Sequence, residues 1–257
     1  MPNKRRSARR TDNVYELREA LTANGKAFEE GPKRKHWSLH DLKEIKPLTR
    51  NQDKMFRDFS NGHHIVADGS AGTGKTFLAC YLALSELLER TNNYDKIIII
   101  RSAVPTRELG FLPGTIEEKA AMYEMPYADI FGELLGKGSS YQDLKDAKKL
   151  EFCTTSYIRG LTWDNAIIIL DESQSATFHE INSVITRLGK NTRLIVAGDT
   201  PQTDLRKRGE KSGLDEFIAV ASQMKYFSVI HFTYDDIVRS EFVKEWIKTC
   251  NRLGITP

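Results

Sequence analysis

Eight consecutive residues have the types and spacing of a phosphate-binding loop. Gly69-Ser70-Ala71-Gly72-Thr73-Gly74-Lys75-Thr76 matches the pattern G-x-x-x-x-G-K-[ST] in full. The glycines let the backbone curl so that its N–H groups surround anionic phosphates at the positive end of the following helix. We expect Lys75 to reach the β- and γ-phosphates and the Thr76 hydroxyl to ligate magnesium. The loop therefore predicts a site for ATP and Mg²⁺.

Two adjacent carboxylates are candidates for the other functions of the site, which are metal binding and activation of the attacking water. Asp171 and Glu172 follow the apolar run Ile167-Ile168-Ile169-Leu170, which predicts a buried strand ending at the site. Asp171 can hold the metal, directly or through water, and Glu172 can polarise the water that attacks the γ-phosphate. A strand that simply leaves the core would also end in polar residues, but the phosphate loop favours the catalytic interpretation.

Two glutamines are further candidates for the nucleotide site. Gln202 follows another apolar strand in Gly198-Asp199-Thr200-Pro201-Gln202, where it could sense the γ-phosphate and order the attacking water. The same residues are also good turn formers. Gln52 offers a donor and an acceptor that match the N6/N7 edge of adenine. It is equally compatible with a position on a surface helix.

The order of the apolar segments predicts an α/β fold. Continuous Val/Ile/Leu runs indicate strands buried on both faces, and helical patterns between them indicate a parallel sheet flanked by helices. The predicted strands are 63–67, 96–101, 150–154, 166–170, 193–197 and 227–232. The predicted helices are 75–90, 178–188, 214–223 and 241–250. We expect a single core domain over residues 45–257, preceded by a partly disordered, basic N-terminal extension over residues 1–44.

Charge and cysteine content bound the class of protein. Residues 1–50 contain thirteen Lys/Arg against seven Asp/Glu, which leaves 25 against 28 for the rest of the chain. The basic extension is either a solvated tail or an electrostatic contact to nucleic acid. The three cysteines are far apart and suggest neither disulfides nor a metal site. With neither a secretion signal nor a run long enough for a membrane span, we expect a cytoplasmic protein with no membrane contact.

The motifs and their order resemble the PhoH family of ATPases, which are related to superfamily 1 helicases. The resemblance covers about residues 45–250. It rests on the following segments: Arg50-Asn51-Gln52, the phosphate loop, Ile100-Arg101, Gly110-Phe111-Leu112-Pro113-Gly114, Glu118-Lys119, Arg159-Gly160, Asp171-Glu172-Ser173-Gln174, Gly198 to Gln202, Ser212-Gly213-Leu214 and Asp236-Ile237-Val238-Arg239. Ser102 departs from the usual proline, and Ser173 and Ser175 from the usual alanine and asparagine.

The resemblance implies a RecA-like P-loop NTPase core and an arginine finger at Arg239. Arg206 and Arg208 are rivals for that role. A finger acting in trans needs another subunit, because one core fills the chain, and the resemblance suggests a homo-oligomeric ring such as a hexamer.

Two functions remain open on the sequence. The first is ATP hydrolysis coupled to movement on, or remodelling of, single-stranded RNA or DNA. Cationic and hydroxyl side chains at strand ends fit a phosphate backbone, and the candidates are Arg101, Ser102, Thr154, Thr155 and Arg159. The second is an ATP-dependent switch or scaffold that acts on a protein partner, which the slightly acidic body favours.

Overall fold

The computed structural model describes residues 37–102, 116–158, 160–199 and 212–253. The predicted site residues Arg159 and Gln202, and the rival arginines Arg206 and Arg208, lie outside these ranges. So does most of the predicted N-terminal extension.

A six-stranded parallel sheet forms the centre of the domain. Its strands stand in the order β3-β2-β4-β5-β1-β6, and each neighbouring pair is parallel. The strands are β1 His64–Gly69, β2 Lys96–Arg101, β3 Leu150–Thr154, β4 Ala166–Asp171, β5 Thr192–Gly198 and β6 Phe227–Phe232. Because all strands point the same way, their carboxyl ends share one edge, where ligands of open α/β sheets bind.

Helices flank the sheet. They are α1 Arg50–Ser60, α2 Lys75–Leu88, α3 Ile116–Leu135, α4 Ser140–Asp146, α5 Phe178–Ile185, α6 Leu214–Ala221 and α7 Glu241–Arg252. The first four pack in one hydrophobic cluster, which contains Met55, Leu78, Phe131 and Tyr141, and α5 and α6 pack in a second one with Val184 and Phe217. None of the helices in the described part of the chain is long and apolar enough to cross a membrane.

The isoleucine-rich strands explain why the sheet is covered on both faces. Along β2, Ile97 and Ile99 belong to the first cluster, whereas Ile98 and Ile100 belong to the second. The alternation of side chains along a strand produces this division, and each buried isoleucine contributes roughly 1.5–3 kcal/mol. The sheet is therefore a rigid support for the residues at its carboxyl edge.

The predicted strands and helices are confirmed, with ends that differ from the prediction by at most three residues. Three helices were not predicted: α1, α3 and α4. Pro126 lies inside α3, and a proline normally ends a helical pattern. Residues before position 45 also join the domain, since Trp37 is buried in the core and the Lys43 amide donates to the Leu134 carbonyl at 2.8 Å.

Candidate nucleotide-binding site

The phosphate loop connects β1 to α2 in a conformation that requires glycine. Gly69 has a φ of 132°, and a side chain there would collide with the Phe232 carbonyl of β6. Gly74 has a φ of 84° and caps the N-terminus of α2. These backbone angles disfavour other residues. The loop thus ends at a helix N-terminus, where the helix dipole favours an anion.

Lys75 brings a positive charge to the loop. Its Nζ donates hydrogen bonds to the carbonyl oxygens of Gly69, at 2.6 Å, and Ser70, at 2.8 Å. Burial lowers the pKa of Lys75, and the charges of Asp199, Asp68 and Asp171 oppose that shift. The negative charge of a bound phosphate would favour the charged amine and so offset the cost of its desolvation.

Thr76 and Asp171 meet where a metal ion would be held. The Thr76 hydroxyl donates to Oδ1 of Asp171 at 2.9 Å, and the Tyr127 hydroxyl donates to Oδ2 at 2.8 Å. Burial raises the pKa of Asp171, the Glu172 charge raises it further, and these two hydrogen bonds oppose the rise. A hydroxyl and a carboxylate beside a phosphate loop are the oxygen donors that Mg²⁺ takes, with waters and phosphates completing its shell. The residues present therefore fit this ion.

Glu172 is held in a backbone conformation unusual for its residue type. Its φ of 52° lies in the left-handed region, which costs of order 1 kcal/mol or more for a residue with a side chain. Its Oε2 accepts a hydrogen bond of 2.6 Å from Nε2 of Gln174, and its Oε1 lies 4.0 Å from Nη2 of Arg101. The carboxylate is consequently oriented from two sides.

Asp199 follows β5, which lies between the strands that carry the loop and Asp171. Burial raises the pKa of Asp199 to about 6, against the lowering effect of the Lys75 charge. Its amide donates to Oε1 of Gln174 at 3.0 Å. Gln174 thus connects Asp199 to Glu172.

Gln52 lies under the phosphate loop. It is only 3% exposed, which excludes the surface position that the sequence left open. Its Oε1 accepts from the Leu48 amide at 2.8 Å, and its Nε2 donates to the Thr73 carbonyl at 3.0 Å. An amide nitrogen carries two hydrogens, so one remains for a base. Its contact with adenine stays a prediction.

Arg239 lies beside the phosphate loop of its own chain. The Val238 amide donates to the Gly72 carbonyl at 3.1 Å, and a methyl group added at Gly72 would lie 3.1 Å from Cγ of Arg239. The segment is anchored by Asp236, which accepts from Asn51 at 2.7 Å. The guanidinium therefore lies next to the phosphate loop of its own chain. The sequence and its family resemblance suggest instead a finger that acts in trans, on a neighbouring subunit.

The predicted nucleic-acid contacts divide into two groups. Thr155 and Ser102 are buried, and their hydroxyls donate to Glu180 at 2.6 Å and 3.4 Å. Thr154 Oγ1 is also buried. The Arg101 side chain, in contrast, is 25% exposed at the end of β2. Of the candidates that the structure describes, Arg101 therefore presents a cationic group that a phosphate can reach.

Sequence reasoning gave no role to three residues of the site. They are Tyr127, Gln174 and Asp199. Gln174 and Asp199 lie within segments that carry the family resemblance. The position of Gln174 close to Glu172, and that of Asp199 directly after β5, could have indicated a role at the site. Nothing in the sequence links Tyr127 to Asp171, because the contact spans 44 positions and depends on how α3 packs.

Comparisons with known proteins find similar sequences over most of the chain. Residues 44–251 match the model of the family described as PhoH-like protein. The chain is 37% identical over 185 residues to a PhoH-like protein of Synechocystis sp., covering 72% of this chain and 55% of that protein. It is 35% identical over 215 residues to a PhoH-like protein of Bacillus subtilis, covering 82% and 65%. The chain therefore spans only part of the length of these relatives.

Solved structures of similar fold are more distant. The large terminase of a thermophilic bacteriophage, in complex with ADP, aligns at 17% identity with a TM-score of 0.47, over 79% of this chain and 50% of that one. The Pif1 helicase of Candida albicans aligns at 17% identity with a TM-score of 0.44, over 83% and 46%.

Proposed function

Because the chain belongs to the PhoH-like protein family, and is a P-loop NTPase with a RecA-like core, we propose that it hydrolyses ATP with Mg²⁺ and couples hydrolysis to single-stranded nucleic acid. One observation supports the hydrolytic part most. The hydroxyl of Thr76, the last residue of the phosphate loop, donates a hydrogen bond to the carboxylate of Asp171, and Glu172 follows Asp171 in the chain. An arrangement that only bound nucleotide would not need the second carboxylate.

Each residue has a role in this proposal. Thr76 and Asp171 hold Mg²⁺, which when bound neutralises charge on the β- and γ-phosphates. Lys75 exchanges its carbonyl contacts for phosphate oxygens. Glu172 orients a water and accepts its proton. The water oxygen bonds to the γ-phosphorus while the bond to the β–γ bridging oxygen breaks, which gives ADP and inorganic phosphate.

The remaining nucleotide contacts follow from position. Gln52 offers its remaining amide hydrogen to adenine beside Gly74. Arg239 acts on the nucleotide bound to its own chain, which its proximity to Gly72 supports. Gln202, three residues after Asp199, keeps its predicted role as the sensor of the γ-phosphate. The reason for the role of Arg239 is that the transition state carries negative charge on the equatorial oxygens of the γ-phosphoryl group, which an arginine stabilises.

Coupling to nucleic acid is supported by the end of β2. Arg101 is half-buried at the carboxyl edge, and the exposed Ser156 and Tyr157 follow β3, its neighbour in the sheet. A guanidinium binds phosphate in a bidentate manner, and an exposed aromatic ring can stack on a base. Among the described residues, we therefore propose Arg101 and the neighbouring Ser156 and Tyr157 as the contacts to nucleic acid.

A protein partner is the second candidate, and one observation favours it. Helix α7 exposes Phe242 by 76% and Trp246 by 59%, one turn apart. Exposed aromatics of this kind occur at protein interfaces. They also leave a surface for the homo-oligomer that the family suggests.

The experiment is an ATPase assay with Mg²⁺, without and with saturating single-stranded RNA or DNA. We expect turnover by the natural chain, stimulation by at least one strand type, and no turnover by Lys75→Ala. Turnover that neither strand changes, together with no measurable strand binding, would favour the switch or scaffold. Full turnover by Lys75→Ala would refute the site itself.

A further inference from the structure

Arg101 lies between the predicted nucleic-acid surface and the catalytic carboxylates. It is the last residue of β2 and is paired in the sheet with Asp171 of β4 and Thr154 of β3. Its Nη2 lies 4.0 Å from Oε1 of Glu172. Its guanidinium carbon lies 5.2 Å from the centre of the Tyr123 ring on α3. One cation therefore contacts both an aromatic platform and a carboxylate proposed to activate water.

The carboxylate of Glu172 has a protein group at each oxygen. Gln174 donates to Oε2 at 2.6 Å, and Arg101 faces Oε1. A general base must present an oxygen to the water whose proton it takes. The Gln174 contact orients the group, whereas the Arg101 contact attracts the other oxygen, which is then less available to a water.

We infer that Arg101 restrains Glu172 until a phosphate of the nucleic acid takes its place, so that strand binding frees the base. This inference rests on the proposed function. It assigns Arg101 a positioning role in addition to strand binding. In this coupling, Arg101 exchanges one anionic partner, the carboxylate of Glu172, for another, a phosphate of the strand.

The geometry suits a reversible exchange. A separation of 4.0 Å is long for an ion pair, and the Glu172 side chain is 43% exposed, so solvent screens the attraction. A phosphate can accept two hydrogen bonds from the planar guanidinium at shorter distance. The Tyr123 contact does not depend on the charge of Glu172, so Arg101 keeps one partner while it changes the other.

Coupling between two anions that share one cation must be reciprocal. If strand binding frees Glu172, then removing the charge of Glu172 must strengthen strand binding. This consequence can be measured without nucleotide, and therefore without turnover. It also separates a shared arginine from one that merely supports the fold.

The test is a double-mutant cycle on strand affinity. A fluorescent oligouridylate, and separately an oligothymidylate, is titrated with the natural chain, Glu172→Gln, Arg101→Ala and the double variant. We expect Glu172→Gln to bind about 3- to 10-fold more tightly than the natural chain. In the Arg101→Ala background the same change should alter affinity less than about twofold.

Two controls separate the local exchange from general charge effects. Glu151→Gln removes a negative charge that is paired with Lys96 instead, and it should leave affinity within about twofold. Arg57→Ala removes an exposed cation paired with Asp53 and should keep strand stimulation. With saturating strand, Arg101→Ala should lose the stimulation, and its turnover without strand should exceed that of the natural chain.

The contrary results are distinct. Equal effects of Glu172→Gln with and without Arg101 would overturn the inference, since the two residues would then act independently. A fall in strand-free turnover of Arg101→Ala would also overturn it, since Arg101 would then support the base. Neither result affects the proposed coupling to nucleic acid, which fails if strands neither bind to the natural chain nor change its turnover.

Discussion

The hydroxyl of Tyr127 donates a hydrogen bond of 2.8 Å to Oδ2 of Asp171, in the interior of the domain. Tyr127 is 1% exposed and lies in α3, one turn after Tyr123, whose ring contacts Arg101. A single helix thus contacts the proposed metal ligand directly and the neighbouring Glu172 through Arg101. Through the contacts of Tyr127 and Tyr123, the orientation of both carboxylates depends on the position of α3.

Tyr127→Phe should weaken binding of Mg²⁺ with nucleotide. Loss of a hydrogen bond that orients a metal-binding carboxylate typically reduces metal affinity by about 10-fold or more. The measurement is the Mg²⁺ dependence of binding of a fluorescent ATP analogue, with binding in chelator as the reference. Tyr141→Phe, at another buried tyrosine of the same cluster, is the control. Equal Mg²⁺ dependence in both variants would contradict the positioning role.

Asp199→Asn should stabilise the fold at neutral and alkaline pH. Burial raises the pKa of Asp199 to about 6, so the folded state favours the protonated carboxyl, and this contribution is lost as the pH rises through that value. A gain of about 1 kcal/mol corresponds to roughly 2–4 °C in Tm for a chain of this size. Thermal unfolding at pH 8 should show the gain, and it should shrink toward pH 4.

The exposed Asp95 provides the matched control. Asp95→Asn should show no such dependence on pH. A gain for Asp199→Asn that is the same at pH 5 and pH 8 would mean that the charge of Asp199 is not the cause.

Arg239→Ala should bind ATP but turn over at least about 10³-fold more slowly, since arginines of this kind act on transition-state charge. Because Arg239 lies beside its own loop, a mixture of Arg239→Ala and Lys75→Ala should stay inactive. Labelled subunits establish whether exchange has occurred. Recovery of activity on mixing would instead demonstrate a finger in trans and a homo-oligomer.

Deletion of residues 1–30 should leave turnover without strand intact and weaken strand binding. For a single strand, the slope of log affinity against log salt should become shallower by about 0.7 for each phosphate that the shortened chain no longer neutralises. Fluorescence anisotropy at several salt concentrations measures that slope. An unchanged slope would identify the basic extension as a solvated tail.

Sequence patterns were informative where function depends on contiguous residues. The phosphate loop was recognisable from the types and spacing of its own residues, and the Asp171-Glu172 pair from the isoleucine-rich strand that precedes it. Contacts between distant segments were not predictable. Only the packing of the fold brings Tyr127, Arg101 and Glu180 to their partners. The hydrogen bonds to Glu180 hold the hydroxyls of Ser102 and Thr155 in the interior. Helix α3 was missed because Pro126 interrupts its pattern without ending the helix.

The most direct test of the account is single-turnover hydrolysis of ATP by Glu172→Gln. The substitution is nearly isosteric and keeps Asp171 and Thr76, so binding of ATP with Mg²⁺ should stay within a few fold of the natural chain. Loss of a general base should slow hydrolysis by about 10²- to 10⁴-fold. Hydrolysis within a few fold of the natural chain, at equal ATP occupancy, would contradict the assignment of Glu172 and of the site built around it.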